Sequence, residues 1–284
     1  MGADDHTNKA GNAVSRGADS VGDAVDDARD SRTVRVVARA GWVALGLIHL
    51  LIGFIALGIA LGTSGQADES GAVAQLAATP GGVVLLWAGL LACSALALYM
   101  ASDAVMGWSG GSSKPWMNRL KAAGQAIVFA VVAVTFGGFA FSRPSSSSDK
   151  SRSTSADLMS STPGTVLLVI IGVALLAAAG TYVFMGITRK YEKNLRGKPS
   201  GALGDAFTVL GVVGYCAKGV ALGAVGLLIL IATASHDPSQ QGGLDSALKA
   251  FLKQPFGGWV LGFVSLGLMA YGIYSLFRSR YQRL

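Results

Sequence analysis

Three ionisable residues lie inside otherwise apolar stretches of this chain: His49, Asp103 and Lys218. A histidine accepts or releases a proton near neutral pH, and a buried lysine or aspartate attracts an ion of opposite charge. We expect His49 to lie near the middle of a membrane, on one helix face with Gly46 and Gly53. The alternative role for His49 is a neutral hydrogen bond to a neighbouring helix.

Lys218 and Asp103 are expected nearer the ends of their helices. Lys218 is predicted one turn inside its apolar stretch, where its long side chain reaches the lipid headgroups. Asp103 is predicted near the end of the second stretch, where it pairs with a base or reaches water. None of the three recurs at the equivalent position of the internal repeats described below, which argues against a symmetric site for a transported ion.

The sequence lacks the common signatures of metal and catalytic sites. It contains no HExxH, no CxxC, no phosphate-binding Gly–Lys motif and no paired carboxylates in an apolar stretch. His6 and His236 lie outside the apolar stretches, so haem ligation by two histidines is not expected. Cys93 and Cys216 are interpreted as packing residues. We therefore expect a protein that is not an enzyme, with no catalytic residue, cofactor or metal.

Six apolar stretches must position these residues, roughly at 40–61, 82–106, 120–141, 163–187, 207–233 and 256–277. Each has about 20 residues, which as a helix spans a hydrocarbon core of ~30 Å. Only 14% of the residues are charged, compared with about 25% in a typical soluble domain. The sequence therefore predicts an all-α integral membrane protein with six transmembrane helices.

The basic residues predict the orientation of the chain. They concentrate in residues 32–39, 114–121, 189–198 and 278–283, whereas the alternate loops are poorer in bases or carry acids. Since short basic loops stay in the cytoplasm, both termini are predicted there, in a multi-pass protein of the plasma membrane. The net charge of +7 is explained by the excess of Lys and Arg in the cytoplasmic loops, where they set the orientation and contact anionic lipid. No nucleic-acid partner is therefore expected. Residues 1–38, acidic and then basic, are expected to be a mostly disordered cytoplasmic tail.

An interval of nineteen residues from proline to tyrosine occurs three times, at Pro80–Tyr99, Pro163–Tyr182 and Pro255–Tyr274. Proline suits the first turn of a helix, and nineteen residues of helix measure ~28 Å. We therefore expect Tyr99, Tyr182 and Tyr274 either at the cytoplasmic lipid interface or converging on a central axis.

This interval predicts three tandem repeats, each a helical hairpin, in residues 39–107, 115–190 and 205–281. The repeats run in the same direction and are expected to pack with pseudo-threefold symmetry, although a row of hairpins also fits the sequence. A short external amphipathic helix is predicted before each even-numbered helix. Small residues predicted to pack helices closely are Gly46, Gly53, Gly219, Gly223, Gly258 and Gly262.

The layout resembles the family called domain of unknown function 1206, bacterial membrane proteins with three copies of a two-helix unit. The resemblance covers roughly residues 39–281. It is carried by the Gly–aromatic–x–Ala–x–Gly openings at Gly41 and Gly214, the Pro–x–Gly starts at Pro80 and Pro255, and the aromatic end LMAYGIYSLF. The family often has a base before the second glycine of the opening; Lys218 matches it, whereas Leu45 and Val128 do not. The resemblance implies the fold and no activity.

Two hypotheses for function follow. The first is a scaffold or accessory subunit that binds partner membrane proteins, or further copies of itself, through its small-residue faces. The alternative is a channel or transporter for a small solute, with a path along the pseudo-threefold axis. A side-chain-filled axis favours the first hypothesis, and a polar space favours the second.

Overall fold

The computed structural model describes residues 32–106, 115–141, 146–194 and 201–281. The predicted tail before residue 32 lies outside the described residues. Within the described part the chain forms nine α-helices and two short 3₁₀ helices. The α-helices are α1 (Arg32–Ala60), α2 (Glu69–Ala77), α3 (Gly82–Met106), α4 (Pro115–Ala140), α5 (Ser147–Met159), α6 (Thr162–Ile187), α7 (Ala202–Ser235), α8 (Gly243–Leu252) and α9 (Gly257–Tyr281).

The prediction of six long apolar helices is confirmed. Among the described residues, α1, α3, α4, α6, α7 and α9 are long and apolar enough to cross a membrane. The longest is α7, with 34 residues. It begins at Ala202, before the predicted start near residue 207. Lys218 is the seventeenth of these 34 residues and so lies near the middle of α7, rather than one turn inside its apolar stretch as predicted.

Local sequence explains where several helices begin. The carboxylate of Asp68 accepts a hydrogen bond from the backbone N–H of Gly71 and caps α2. The hydroxyl of Ser146 accepts a hydrogen bond from the backbone N–H of Asp149 and caps α5. Ser161 caps α6, with Pro163 in the first turn, where a missing N–H removes no helical hydrogen bond.

The most extensive helix packing joins neighbouring predicted repeats rather than the two helices of one repeat. The three pairs with the largest contact are α6 with α7, α1 with α9, and α3 with α4. Within the first and third predicted repeats the helices also touch, whereas α4 and α6, the helices of the second, have almost no contact among the described residues. The hairpin and pseudo-threefold arrangements therefore stay predictions.

Two glycines let α1 and α9 approach closely. A Cβ on Gly46 would lie 3.0 Å from the carbonyl oxygen of Gly272, and a Cβ on Gly53 would lie 2.8 Å from that of Ser265. Both neighbours are backbone atoms of α9. Only a residue without a side chain permits this separation, which fixes α1 against α9 along several turns.

The three short helices lie at one end of the bundle, which we call the cap end. After Ala60 the chain turns back along α1, so that a Cβ on Gly65 would lie 2.8 Å from the side chain of Ile55. The start of α2 consequently lies inside the bundle at the cap end, where Ala67, Asp68 and Val73 are all buried.

Candidate functional site

Two helices carry polar and aromatic residues at helical spacing towards the end opposite the cap. On α7, Tyr215 and Lys218 are three residues apart, and on α9, Tyr271, Tyr274 and Arg278 follow at intervals of three and four. Such intervals place side chains on one helix face. Since α7 and α9 pack against each other, the two faces form one site.

Six aromatic rings form what we call the tyrosine cluster: Tyr182, Tyr191, Phe207, Tyr215, Tyr271 and Tyr274. Tyr191 stacks on Tyr215 with ring centroids 4.8 Å apart, and Tyr274 meets Phe207 at the same distance. Tyr274 is 0% exposed. The cluster thus fills this end of the bundle with side chains.

Tyr191 closes the cluster from the short 3₁₀ helix Lys190–Asn194. Its hydroxyl donates a hydrogen bond to the carbonyl oxygen of Thr208 at 2.9 Å. Its ring occupies the space that a side chain at Gly211 would need. Burial, mainly, and the neighbouring Glu192 carboxylate raise the pKa of Tyr191 to about 12.

Lys218 lies deep in the bundle at the edge of the tyrosine cluster. Its ammonium donates a hydrogen bond to the hydroxyl of Tyr271 at 3.2 Å. The same nitrogen lies 4.2 Å from the centroid of the Tyr271 ring and 5.2 Å from that of Tyr182. In the part of the chain that the structure describes, Lys218 forms no salt bridge. Its ammonium thus contacts two phenol rings and one hydroxyl.

Arg278 is a second buried cation, with 6% of its surface exposed. It donates a hydrogen bond to the hydroxyl of Tyr215 at 2.8 Å, and its guanidinium lies 4.4 Å from the ring centroid of Trp42. Nε1 of Trp42 has no hydrogen-bond partner within the described ranges, although the atom is buried. Arg278 thus ties α9 to both α7 and α1.

His49 joins the site from α1. Its Nδ1 lies 2.8 Å from the carbonyl oxygen of Leu45. A carbonyl oxygen only accepts, so Nδ1 carries the proton and Nε2 is the free acceptor of the neutral ring. The imidazole ring lies 4.9 Å from that of Tyr271.

Three ionisable residues lie in the interior of the bundle. His49, Lys218 and Glu69 all lie deep within the protein, yet each keeps some water-accessible surface. The charge of Lys218 acts on both His49 and Glu69. We call the region between them the central space; it runs from the start of α2 towards the tyrosine cluster.

Hydrogen bonds join α2 to α5 at the cap end. The carboxylate of Asp68, 1% exposed, accepts hydrogen bonds from Gln66 at 2.9 Å and from Ser148 at 3.0 Å. It also accepts from the Ser70 hydroxyl at 2.7 Å, and Gln66 donates to Ser146 at 2.9 Å. The bonds from Ser148 to Asp68 and from Gln66 to Ser146 each connect residues 80 apart in sequence.

The third short helix completes the cap. The carboxylate of Asp245 in α8 accepts a hydrogen bond from the backbone N–H of Ala67 at 2.8 Å and a salt bridge from Lys249 at the same distance. Arg152 of α5 donates to the carbonyl oxygen of Gln241 at 2.9 Å. The cap is thus held by polar contacts between each pair of short helices, and it covers the central space.

The remaining residues singled out from the sequence lie elsewhere. Tyr182 and Tyr274 join the tyrosine cluster, whereas Tyr99 packs against the larger apolar core with α1 and α4. Asp103 is half-buried near the end of α3. The three tyrosines at equivalent repeat positions therefore do not meet in one place among the described residues.

The predicted packing glycines divide into two groups. Gly46, Gly53 and Gly219 each lie close to backbone atoms of a neighbouring helix. Gly223 and Gly258 have ordinary contacts, at 3.4 and 3.6 Å from a built Cβ, and Gly262 faces open space.

Glu69, Tyr271 and Arg278 belong to the site but were not singled out from the sequence. The spacing of Tyr271, Tyr274 and Arg278 on one face was a usable signal. No sequence signal indicated Glu69, because its position depends on the chain turning back into the bundle after Ala60.

Comparison with known proteins gives a family and one relative. The sequence profile of Domain of Unknown Function (DUF1206) matches three segments, residues 40–107, 120–189 and 213–282. The chain is also similar to a Bacillus subtilis (strain 168) protein called "Uncharacterized protein YxxB", with 24% identity over 254 residues, 88% of this chain and 92% of the relative. No solved structure matches this chain.

The three matches overlap the three predicted repeats and together cover more than half of the chain. The predicted resemblance is thereby confirmed, and this protein, with six candidate membrane spans, belongs to the DUF1206 family.

Proposed function

We propose that this protein binds a small anion in the central space and transports it across the bacterial plasma membrane. This is the second of the two hypotheses drawn from the sequence. The observation that carries it is the position of Lys218 in the middle of α7, partly accessible and without a salt bridge among the described residues.

The energetics of Lys218 favour a binding role. A lysine at the centre of a membrane helix is unfavourable by about 2.5–3.5 kcal/mol on insertion scales. Cation–π contact with two tyrosine rings offsets about 0.5–2 kcal/mol of this. An anion about 4 Å from the ammonium contributes roughly 4 kcal/mol at an effective dielectric constant near 20. Attraction to a bound anion would therefore offset the part of this unfavourable free energy that the tyrosine contacts do not.

The surroundings of the site are consistent with an occluded state of a transporter. The cap covers the central space at one end, and the tyrosine cluster fills the other. A transporter must open each end in turn. When the cap opens, its polar groups can replace their mutual hydrogen bonds with hydrogen bonds to water. An apolar cap would instead have to expose apolar side chains to water.

The orientation proposed is the one predicted from charge, with both termini in the cytoplasm. In this orientation the cap lies outside, and the exposed bases Arg189, Lys190 and Arg280 face anionic lipid. The measurement is labelling of a cysteine introduced at either terminus with a membrane-impermeant reagent. Labelling from outside intact cells would contradict the orientation.

Transport is tested with purified protein in liposomes. We expect uptake of labelled small anions, assayed with chloride, phosphate, acetate and longer monocarboxylates, to require the protein. Lys218→Gln should abolish uptake because it removes the proposed binding charge. The matched control is Lys253→Gln, which removes the same charge from an exposed position at the cap end. Equal uptake by Lys218→Gln and wild type would contradict the proposal.

One observation supports the scaffold hypothesis as a second candidate function. The span of α6 is 17% buried, compared with 50% for that of α9, and α6 hardly contacts α4. A partner helix between α4 and α6 would cover this face. Ile170→Trp on α6, at a position 58% exposed, should then reduce co-purification of one defined partner in mild detergent. Leu98→Trp on α3, 72% exposed, is the control; repeated isolation of the protein alone would contradict the scaffold.

A further inference from the structure

Tyr191 is the one member of the tyrosine cluster that does not lie on a candidate membrane-spanning helix. The other five rings come from α6, α7 and α9. Tyr191 comes instead from the 3₁₀ helix Lys190–Asn194, which follows α6. Its side chain is 1% exposed, although residues 187–190 before it are all exposed. The ring is therefore inserted into the bundle from a stretch of chain that lies at the surface.

The ring of Tyr191 fills a slot that fits a phenol. Tyr215 stacks on its face, with the ring planes inclined by 13° and the centroids 4.8 Å apart. The ring of Tyr274 meets it at 79° with the centroids 5.3 Å apart. The carbonyl oxygen of Thr208 accepts a hydrogen bond from its hydroxyl at 2.9 Å. This phenol slot thus offers aromatic walls and one hydrogen-bond acceptor, which match the apolar ring and the polar tip of a phenol.

Gly211 of α7 leaves the room that the ring occupies. A Cβ at this position would lie 2.5 Å from both Cζ and the hydroxyl oxygen of Tyr191, and the third nearest atom also belongs to that side chain. Inside a helix, alanine is more stable than glycine. The missing side chain at Gly211 is therefore explained by the inserted ring.

The turn that leads from α6 to Tyr191 has an unfavourable backbone conformation. Thr188 is the C-cap of α6, and the next residue, Arg189, has a φ of 53°. A residue with a Cβ rarely adopts such a left-handed conformation, and it does so at the expense of strain. Insertion of the Tyr191 ring holds this turn, whereas withdrawal would let Arg189 return to an ordinary conformation. The ring contacts and the turn thus act in opposite directions on this segment.

We propose that Tyr191 is a removable plug: its ring closes the end of the bundle opposite the cap by filling the phenol slot, and withdrawal of its 3₁₀ helix opens that end. With the ring withdrawn, the slot exposes Tyr215 and the carbonyl oxygen of Thr208 to water, and it accepts another phenol in place of Tyr191. The role of the plug in transport rests on the proposed function, in which each end of the bundle opens in turn.

Opening is measured by thiol labelling of the protein in lipid nanodiscs, where both faces of the membrane are accessible. Thr208→Cys is introduced after Cys93→Ala and Cys216→Ala have removed the two native thiols. Thr208 is 7% exposed, and its backbone carbonyl is unchanged by the substitution. Tyr191→Ala should speed labelling by a water-soluble maleimide by about tenfold or more, because labelling of a buried thiol follows the fraction of open molecules. Gly211→Ala should act in the same direction, because its methyl group excludes the ring.

Two matched controls should label as slowly as the protein with Tyr191 and Gly211 in place. Phe184→Ala removes an aromatic ring that is 52% exposed, one turn before the end of α6. Gly180→Ala adds a Cβ that has no neighbour within 4 Å. Fast labelling of either control would show that the assay does not report on the plug and would overturn the inference drawn from it.

The vacated phenol slot is tested with p-cresol, which is the side chain of tyrosine as a free molecule. It should protect Thr208→Cys from labelling in Tyr191→Ala, and this protection requires a folded slot. Toluene has no hydroxyl to donate to the carbonyl oxygen of Thr208, so the same protection should need a roughly 2- to 10-fold higher concentration. The plug is overturned if Tyr191→Ala and Gly211→Ala label no faster than the controls, or if p-cresol gives no protection.

The same assay separates the plug from the proposed function. With Tyr191 in place, the anion that liposomes take up should speed labelling of Thr208→Cys, and Lys218→Gln should abolish this increase. Anion uptake without any change in labelling would overturn the role of the plug in transport. If the variants and p-cresol behave as expected but no anion is taken up, the proposed function fails and the plug itself is supported.

Discussion

Replacing Gly53 by alanine tests the packing that holds His49 in the site. Gly53 lies one turn after His49 on α1, directly against α9. A Cβ there would lie 2.7 Å from Met269 Cγ, 2.8 Å from Met269 N and 2.8 Å from the carbonyl oxygen of Ser265. The methionine side chain can move, but the two backbone atoms cannot move without α9.

The size of the effect follows from these distances. Carbon makes favourable contact at about 3.5–4.0 Å, so α9 must retreat by about 0.7 Å or more. Overpacking of this kind is unfavourable by about 1–3 kcal/mol. Alanine in a helix regains about 0.5–1 kcal/mol relative to glycine. We therefore expect Gly53→Ala to destabilise the protein by about 0–2.5 kcal/mol relative to wild type, and to loosen the contact between His49 and Tyr271.

The assay is thermal unfolding of the purified protein in one detergent, followed by tryptophan fluorescence. Gly262→Ala is the matched control, because a Cβ on Gly262 has no neighbour within 4 Å. We expect the control to melt at the wild-type temperature or slightly above it. If Gly53→Ala melts with the control, the close approach of α1 and α9 described here is incorrect.

Three further predictions concern the two ends of the bundle. Tyr215→Phe removes the oxygen that accepts from Arg278 at 2.8 Å and should lower stability by about 1–3 kcal/mol, measured by thermal unfolding. Asp68→Ala removes the oxygen that accepts from Gly71 N and should speed hydrogen–deuterium exchange at that amide. Because burial raises the pKa of Tyr191 to about 12, its contribution to stability is present below its ordinary pKa of about 10 and is lost as the pH rises towards 12; Tyr191→Phe should remove this pH dependence.

Each of these predictions has an outcome that contradicts it. Wild-type stability of Tyr215→Phe would mean that Arg278 does not depend on this hydroxyl. Wild-type exchange in Asp68→Ala would mean that the start of α2 does not depend on this side-chain oxygen. For Tyr191, the unfolding free energy of wild type and Tyr191→Phe should diverge only above about pH 10; parallel curves would count against its burial.

Much of the fold was predictable, because apolar length is a direct signal of a membrane span. The six stretches and the three repeats follow from composition and from the proline–tyrosine interval, which a membrane of fixed thickness imposes. The start of α7 was predicted too late, because residues 202–206 include Gly204 and Asp205 and so interrupt the apolar pattern. The predicted position of Lys218, one turn inside its stretch, is also too close to the helix end, since Lys218 lies near the middle of α7.

The site was only partly predictable, because periodicity shows which residues share a face and not which faces meet. His49 was identified as an ionisable residue between two glycines, but nothing in the local sequence indicates that Tyr271 lies opposite. The tyrosine interval predicted equivalent positions for Tyr99, Tyr182 and Tyr274, at the lipid interface or on a common axis, yet Tyr99 packs in a different core from the other two. Tertiary packing differs between repeats even where their spacing is the same.

The pairing of α1 with α9 has a consequence for biogenesis. The ribosome delivers α1 to the membrane first and α9 last; Gly46 and Gly272, which meet in the finished protein, are separated by most of the chain. At about 5–20 residues per second, synthesis of the intervening segment takes roughly 10–45 s. During that time the glycine-lined surface of α1, with His49 on it, has lipid or an insertion factor for a neighbour. The nascent chain can acquire its complete interior only after the final helix has left the ribosome.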